Sequence, residues 1–355
     1  MSPAESKRNV TAACIQAPFQ VSFRQVELTA PGAGEVLLDV LAAGICGHDM
    51  EIAATLAKQP TACGHEICGR VREVGVGVVQ VKPGDQVALE SSSFCGDCAD
   101  CRNSRPDLCR HVVGFWGRPA MGFADAMLTP ARSCVPAGGM TPEVAALAEP
   151  CGVAYDMVKL AEIGVTDSVL VVGGGAIGLM ALAIARRRTS GRLVVAERAQ
   201  GKRNIALALG ADTAFDPREQ PLREAGKTLG LFNKVLVTAP PQLIPDSLAT
   251  LAYEGFCVYI GFDWSAGGVI ALDTTSMHLG KQQLRASFAS PAVYLPMALE
   301  LLRNGTVPGD QLISHRFPLS RLQDAINLLR TDRETTCKIM VIPDGIFGAC
   351  GKCAG

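Results

Sequence analysis

Residues 168–185 read SVLVVGGGAIGLMALAIA: an apolar run, a glycine cluster and a second apolar run. The pattern GxGxxG falls between a predicted strand and a predicted helix. In such a turn the first glycine permits the tight bend, the second admits a pyrophosphate to the backbone, and the third lets helix and strand pack closely. The alternative is an ordinary tight turn, but the context favours a dinucleotide site. We assign to this site Gly173, Gly175, Ala176, Ile177 and Gly178.

An acidic residue at the next predicted strand supports the same site. The run RLVVAE ends in Glu197, nineteen residues after Gly178. A carboxylate there accepts a hydrogen bond from a ribose hydroxyl and repels a 2′-phosphate, which favours NAD over NADP. However, Arg198, Lys202 and Arg203 follow, and such cations can hold the phosphate instead. We predict NAD, keep NADP as the alternative, and count Glu197, Arg198 and Arg203 as coenzyme-binding residues.

The middle third of the chain alternates strands with helices. SVLVVG, RLVVAE, KVLVTA and FCVYIGF are apolar strand-like runs, and GLMALAIARRR and RNIALALGA are helical between them. This alternation predicts an α/β fold with a doubly wound parallel sheet covered by helices. From Val10 to about Pro150, short β-type runs separated by glycine and proline predict a barrel-like or sandwich domain.

Composition limits the classes of function. The 355 residues are 48% hydrophobic and 19% charged, with a formal net charge of −1, so we expect packed domains and no nucleic-acid partner. The N-terminal stretch has no apolar core, and no apolar run reaches the roughly 20 residues that span a bilayer. We expect a cytoplasmic protein that does not associate with membranes.

Four cysteines lie within one short segment. Cys95, Cys98 and Cys101 form CxxCxxC, and Cys109 follows eight positions later. Four thiolates in this spacing suit a closed tetrahedral metal site, with an unliganded cysteine-rich loop as the alternative.

A second set of metal-ligand residues is dispersed. GICGHDME contains Cys46, His48 and Asp49, and CGHEICG contains His65 and Glu66. A thiolate and an imidazole can form half of a zinc site, although each is equally typical of a packed loop when taken alone.

Taken together, these motifs resemble the zinc-dependent medium-chain dehydrogenase/reductase superfamily over nearly the whole chain. The matching segments occur in that family's order: GICGHD, GHEICGRVREVG, VKPGDQVAL, the four-cysteine segment, GFADAM, LAEPCGVAYD, VVGGGAIGL and ALALGAD. The resemblance implies a GroES-like catalytic domain (residues 1–152 and 291–355) with a structural-zinc lobe at about 91–112. It also implies a Rossmann coenzyme domain at 153–290.

The resemblance also implies two zinc ions per chain. Cys46 and His65 would bind the catalytic zinc, Glu66 or Glu149 would supply a further ligand, and Cys151 is a weaker candidate. The four cysteines would bind the structural zinc. Asp49 matches a carboxylate that supports such ligands.

Two features near the implied site leave alternatives open. His48 stands where the family commonly has Ser or Thr, so it either accepts the substrate proton or shapes the pocket. Phe115 and Trp116, in VVGFWGRP, either line the substrate site or pack beneath the lobe.

Glu149 matches the polyol, sugar and threonine dehydrogenase branch. We therefore predict hydride transfer between NAD(P) and a secondary alcohol of a sugar, polyol, cyclitol or aminocyclitol, with Cys46, His48, His65, Glu66 and Glu149 as catalytic residues. A threonine-type or simple alcohol dehydrogenase is the alternative. A zinc-free reductase, or a redox sensor using Cys350 and Cys353, is a further one. The family implies a homodimer or homotetramer.

Overall fold

The computed structural model describes residues 7–261 and 263–347, and these divide into two compact units. The first comprises the described parts of Met1–Glu149, Ser290–Arg303 and Ile313–Gly355, and the second comprises Pro150–Ala289 and Asn304–Leu312. The predicted domain limits at 152 and 291 lie close to these bounds, but the short segment Asn304–Leu312 groups with the second unit.

The strands are numbered in chain order. They are β1 Arg8–Gln16, β2 Gln20–Leu28, β3 Glu35–Gly44, β4 Thr61–Ala62, β5 Glu66–Val74, β6 Gln86–Leu89, β7 Ser92–Ser93, β8 Val113–Gly114, β9 Ala126–Pro130, β10 Cys134–Pro136, β11 Val169–Val172, β12 Leu193–Ala196, β13 Thr213–Phe215, β14 Phe232–Val237, β15 Leu251–Tyr259, β16 Gln283–Ala286, β17 Ile313–Pro318 and β18 Lys338–Ile342.

The helices are numbered in the same way. They are α1 Gly47–Glu51, α2 Ala99–Arg102, α3 Pro142–Ala146, α4 Ala148–Leu160, α5 Ala176–Arg186, α6 Gln200–Ala208, α7 Leu222–Thr228, α8 Ile244–Leu248, α9 Thr274–Leu279, α10 Leu295–Arg303, α11 Gly309–Leu312, α12 Leu322–Thr331 and α13 Asp344–Phe347. A π-helical segment, Ile52–Leu56, directly continues α1.

The first unit is built mostly on antiparallel strands, with β17 and β18 as a parallel pair. Its largest sheet has the order β10-β6-β5-β3-β18-β17, and β9 pairs with β3. A smaller sheet has the order β2-β1-β4. The C-terminal strand β18 pairs with β3 at Met340 and Gly44, so the end of the chain completes the sheet that carries the predicted metal ligands.

The second unit contains one parallel sheet of order β13-β12-β11-β14-β15-β16. Strands β11 and β12 are buried at every residue, as in a sheet covered on both faces. Starting at β11, the first three strands run outward in one direction and the next three in the other, which is the order of a dinucleotide-binding fold. The predicted α/β fold with a doubly wound sheet is confirmed.

Across the described ranges, no helix has the length and apolar character that crossing a membrane requires.

Candidate active site and metal centres

The glycine-rich turn joins β11 to α5 at the point where the strand order reverses. Gly173 has a φ of +102°, a left-handed conformation that favours glycine. A Cβ on Gly178 would lie 1.9 Å from the Gly173 carbonyl oxygen, so the close packing of helix and turn excludes a side chain there. Gly175 precedes α5, Ala176 and Ile177 form its first residues, and a Cβ on Gly175 would meet no atom within 4 Å. The turn therefore has the geometry of a pyrophosphate site.

Glu197 follows β12 and bonds to the glycine-rich turn. Its Oε2 accepts a hydrogen bond from Gly174 N at 2.7 Å, and its Oε1 accepts one from Ala199 N at 2.8 Å. The carboxylate is thus oriented by backbone donors on both sides. These contacts place the predicted ribose acceptor beside the predicted pyrophosphate turn.

The cationic side chains near Glu197 differ in whether they are available to bind a coenzyme phosphate. Arg203 donates to the carbonyl oxygens of Glu197 and Arg198, so it holds the loop. The Arg198 side chain is exposed. Sequence reasoning missed Arg218, which donates to the Arg198 carbonyl at 3.0 Å and whose guanidinium lowers the pKa of Asp216. No fixed spacing from the glycine-rich turn pointed to Arg218.

The four cysteines converge as the spacing predicts. Their sulfur atoms all lie within 4.8 Å of one another, with separations of 3.6 Å for Cys95–Cys109 and 3.5 Å for Cys98–Cys101. A tetrahedral site with Zn–S bonds of about 2.3 Å requires sulfur atoms about 3.8 Å apart. The four donors therefore fit zinc and leave no position for a substrate.

Local backbone geometry positions these sulfurs. Gly96 has a φ of +86°, and the N–H groups of Asp97 and Cys98 point at Cys95 Sγ over 3.5 and 3.4 Å. Cys109 Sγ accepts from Cys95 N at 3.3 Å, which closes the lobe. N–H donors stabilise thiolate sulfurs, which suits metal binding.

Cys46 and His65 are held together by one buried carboxylate. Asp49, only 1% exposed, accepts from Cys46 N at 2.9 Å and from Gly64 N at 3.3 Å, and its Oδ1 lies 3.6 Å from His65 Nδ1. Although burial opposes ionisation, the positive charge of His65 and these donors lower the pKa of Asp49. The predicted supporting role of Asp49 agrees with these contacts.

The pKa of His65 is determined by its burial and by two neighbouring acidic groups. Burial disfavours its charged form, but the neighbouring Cys46 and Asp49 raise its pKa well above the usual value. Its buried Nδ1 makes no hydrogen bond and faces Asp49. Burial raises the pKa of the Cys46 thiol. A thiol, an imidazole and nearby carboxylates form a donor set that fits a zinc ion.

Glu66 forms an ion pair with a buried lysine. Its two carboxylate oxygens accept from Lys338 Nζ at 2.6 and 2.7 Å, and both side chains are buried. A Cβ on Gly44 would lie 2.0 Å from Glu66 Oε2, so glycine is required where the carboxylate crosses β3. Lys338 is 272 residues away in sequence, and no sequence signal pointed to it. Glu66 is therefore neutralised by a lysine.

The negative charge of Glu149 is balanced less directly than that of Glu66. Burial, aided by the charge of Glu66, raises its pKa to about 7 against the opposing charges of His65 and Lys338. Cys151 lies one half-turn further along α4, fully buried, and burial raises the pKa of its thiol to about 12. Of the described residues, only the four lobe cysteines form a group of three or more whose metal-ligand atoms all lie within 4.8 Å of one another. The ligand atoms of Cys46, His65, Glu66 and Glu149 are more widely spread.

The rings of His48, His65 and Trp116 lie close together. The ring centroid of His48 is 5.8 Å from that of His65. The ring centroid of Trp116 is 5.1 Å from that of His65 and 5.7 Å from that of His48. Burial lowers the pKa of His48, as does the nearby charge of His65. Phe115 is fully buried in the hydrophobic core, whereas Trp116 is 44% exposed and lies beside the histidines. The substrate-lining role of Trp116 stays a prediction. Cys350 and Cys353 lie outside the described residues.

The lobe predicts the effect of removing one thiolate. In Cys98→Ser we expect the loss of one zinc ion per chain and a decrease in the free energy of unfolding of at least about 2 kcal/mol, because the closed site contributes directly to folding. Metal analysis and denaturant unfolding measure both quantities. Cys337→Ser, outside the lobe, is the matched control. An unchanged zinc content in Cys98→Ser would contradict the assignment.

The buried pair predicts a coupled effect on stability. Glu66→Gln leaves Lys338 buried without its counter-ion, so we expect a loss of about 3–5 kcal/mol in the free energy of unfolding. The double variant Glu66→Gln/Lys338→Met removes both charges and should recover more than half of that loss.

An exposed pair serves as its control. Lys227 and Glu224 are joined at 2.7 Å but have side chains 71% and 53% exposed. We therefore expect Glu224→Gln to change stability by less than about 1 kcal/mol. Equal effects of Glu66→Gln and Glu224→Gln in urea unfolding would show that the buried pair is not coupled as described.

Comparisons with known proteins agree with this architecture. Residues 32–139 match the alcohol dehydrogenase GroES-like domain, and residues 176–304 match the zinc-binding dehydrogenase family. The L-threonine 3-dehydrogenase of Saccharopolyspora erythraea is 29% identical over 85% of this chain and 90% of its own. The L-galactonate-5-dehydrogenase of Escherichia coli K12 is 28% identical over 87% of this chain and 92% of its own.

A solved structure extends the match to the whole fold. An alcohol dehydrogenase of Escherichia coli CFT073, complexed with NADH, superposes with a TM-score of 0.85 at 26% identity, over 94% of this chain and 99% of its own. The predicted combination of a GroES-like domain and a Rossmann domain is confirmed. The chain therefore belongs to the zinc-type medium-chain alcohol dehydrogenase superfamily and is an NAD(P)-dependent oxidoreductase that acts on CH–OH groups.

Proposed function

We propose that this protein oxidises a secondary alcohol of a polyhydroxylated substrate, with NAD as the preferred coenzyme. The substrate class comprises sugars, polyols, cyclitols and aminocyclitols. The observation that carries the proposal is Glu149, a partly buried carboxylate whose charge interacts with that of His65. A carboxylate at this position matches the polyol, sugar and threonine dehydrogenase branch of the family. The similarity to an L-galactonate-5-dehydrogenase supports the sugar and polyol class within that branch.

Cys46, His65 and Glu149 would hold the catalytic zinc, and the four lobe cysteines the structural one. When bound, the zinc would supply a Lewis acid that lowers the pKa of the substrate hydroxyl, and the coenzyme would supply the hydride acceptor. Asp49 orients Cys46 and His65 through its contacts with Cys46 N, Gly64 N and His65 Nδ1. Lys338 neutralises Glu66, so we assign Glu66 a supporting role and keep direct ligation as the alternative.

His48 retains both predicted roles. Its ring, 5.8 Å from that of His65, either accepts the substrate proton on an imidazole nitrogen or shapes the pocket. Because burial lowers its pKa, the neutral form that accepts a proton dominates at neutral pH.

NAD is favoured by the contacts of Glu197. Its carboxylate, oriented by Gly174 N and Ala199 N, accepts from a ribose hydroxyl and repels a 2′-phosphate. Similar dehydrogenases are complexed with NADH in one solved structure and bound to NADP in another, so the preference for NAD rests on Glu197. The exposed Arg198 is the cation that favours the NADP alternative.

A threonine-type dehydrogenase is the second candidate, because the chain is similar to an L-threonine 3-dehydrogenase. Threonine also presents a secondary hydroxyl, so the same metal ligands would serve it. A homodimer or homotetramer and a cytoplasmic location remain predictions.

A substrate panel tests the proposed class. With zinc-loaded protein, we expect kcat/KM for NAD reduction to be at least about tenfold higher with a polyhydroxylated alcohol than with L-threonine or 1-butanol, and higher with NAD than with NADP. Coenzyme absorbance measures the rates. Turnover of L-threonine alone would establish the second candidate, and turnover of 1-butanol alone would exclude both.

Zinc analysis of site variants tests the ligand assignment. We expect two zinc ions per chain in the unmodified protein and, in Glu149→Gln, catalytic zinc bound at least about tenfold more weakly with the structural zinc retained. Cys151→Ser, two residues away, should keep both ions. Loss of a zinc ion in Cys151→Ser but not in Glu149→Gln would reverse the assignment, and a single zinc in the unmodified protein would support a zinc-free reductase or a redox sensor.

A further inference from the structure

The short segment after β8 fixes the position of one exposed tryptophan. Phe115 is fully buried, whereas the adjoining Trp116 is 44% exposed. A Cβ on Gly114 would lie 2.4 Å from the Ser91 carbonyl oxygen, and Gly117 has a φ of +78°, so both flanking positions favour glycine. Arg118 N donates to the Phe115 carbonyl at 3.2 Å and closes the turn. A buried anchor and a closed turn hold the backbone at Trp116 in place.

The contacts at the far end of this turn are equally fixed. The Arg118 guanidinium donates to Glu35 Oε1 at 2.6 Å, and the Arg24 guanidinium donates to the Pro119 carbonyl at 2.7 Å. The segment is thus attached to two other strands of the first unit. A ligand that contacts Trp116 therefore meets a backbone segment that it does not have to order.

The indole borders the predicted ligand His65. Its ring lies 5.1 Å from the His65 ring with a tilt of 39°, and 5.7 Å from the His48 ring with a tilt of 53°. Both histidine rings lie close to Trp116, and 44% of the residue remains accessible. A substrate with its hydroxyl at the metal ligands would lie against this indole.

An aromatic face selects for the shape of a polyhydroxylated molecule. The negative face of the indole attracts the positively polarised C–H groups of a ring, which occur together on one face of a cyclitol or pyranose. An open-chain polyol has no fixed C–H face, and it loses torsional freedom when it adopts one on binding. We propose that Trp116 is a specificity-determining residue that makes this enzyme prefer cyclic polyhydroxylated alcohols over open-chain polyols, an inference that rests on the proposed function.

The chain contains two tryptophans, which provides a matched control. Trp116→Leu removes the aromatic face, Trp116→Phe keeps a smaller one, and Trp264→Leu removes the other tryptophan, which is 71% exposed in the second unit. The measurement is kcat/KM with NAD for myo-inositol and glucose, as cyclic substrates, and for sorbitol and mannitol, as open-chain ones. Zinc content and the unfolding midpoint of each variant verify that the metal sites and the fold are intact.

We expect the ratio of cyclic to open-chain kcat/KM to fall about tenfold in Trp116→Leu, mainly through KM, and about twofold in Trp116→Phe. Trp264→Leu should leave the ratio unchanged. A merely structural role for Trp116 would lower both rates together, and an unchanged ratio in Trp116→Leu would overturn the inference while the proposed function stands. If the unmodified enzyme oxidises neither class, the proposed function fails and the inference fails with it.

Discussion

The predicted catalytic site depends on a single buried carboxylate. Asp49 accepts from the backbone N–H of Cys46, at the end of β3, and from that of Gly64, which precedes β5. Its remaining lone pairs face His65 Nδ1. The Asp49 side chain therefore fixes the segment that follows β3 relative to the segment that precedes β5. Without Asp49, two backbone N–H groups would lose their acceptor and the imidazole would lose its orientation.

A second buried charge pair connects this site to the end of the chain. Lys338 begins β18 and reaches across β3 to Glu66, and its Nζ also donates to the Ile45 carbonyl at 3.3 Å. The crossing is possible because residue 44 is glycine. The C-terminal strand thus contributes both a sheet partner and a counter-ion to the same few residues. A polar site can be buried here because each charge has a specific partner.

The sequence predicts best the features that arise from local spacing. The turn at 173–178 and the strand–helix alternation around it follow from glycine positions and apolar periodicity, and the structure shows the expected turn and parallel sheet. The four-cysteine lobe also depends on local spacing, because its sulfur atoms come together within one segment, residues 95–109. The Glu66–Lys338 pair could not be predicted from the sequence, because the two residues lie 272 positions apart. No local sequence pattern indicates which acidic residue a distant strand lysine contacts. Likewise, only tertiary packing decides that Phe115 enters the core while Trp116 stays exposed.

The two carboxylates near His65 differ in the charge that compensates them. Glu66 has a lysine within 2.7 Å, so its negative charge is already balanced. Glu149 has only the longer-range fields of His65 and Lys338, and burial raises its pKa to about 7. Burial also raises the pKa of the Cys46 thiol, so ionisation of both acidic donors of the predicted site is disfavoured relative to water. A divalent cation reverses that preference, because it stabilises thiolate and carboxylate together. The charges around His65 therefore differ for the two carboxylates that the sequence left equivalent, and on this difference we base the proposal of Glu149 as the zinc ligand, with Glu66 as its lysine-paired neighbour.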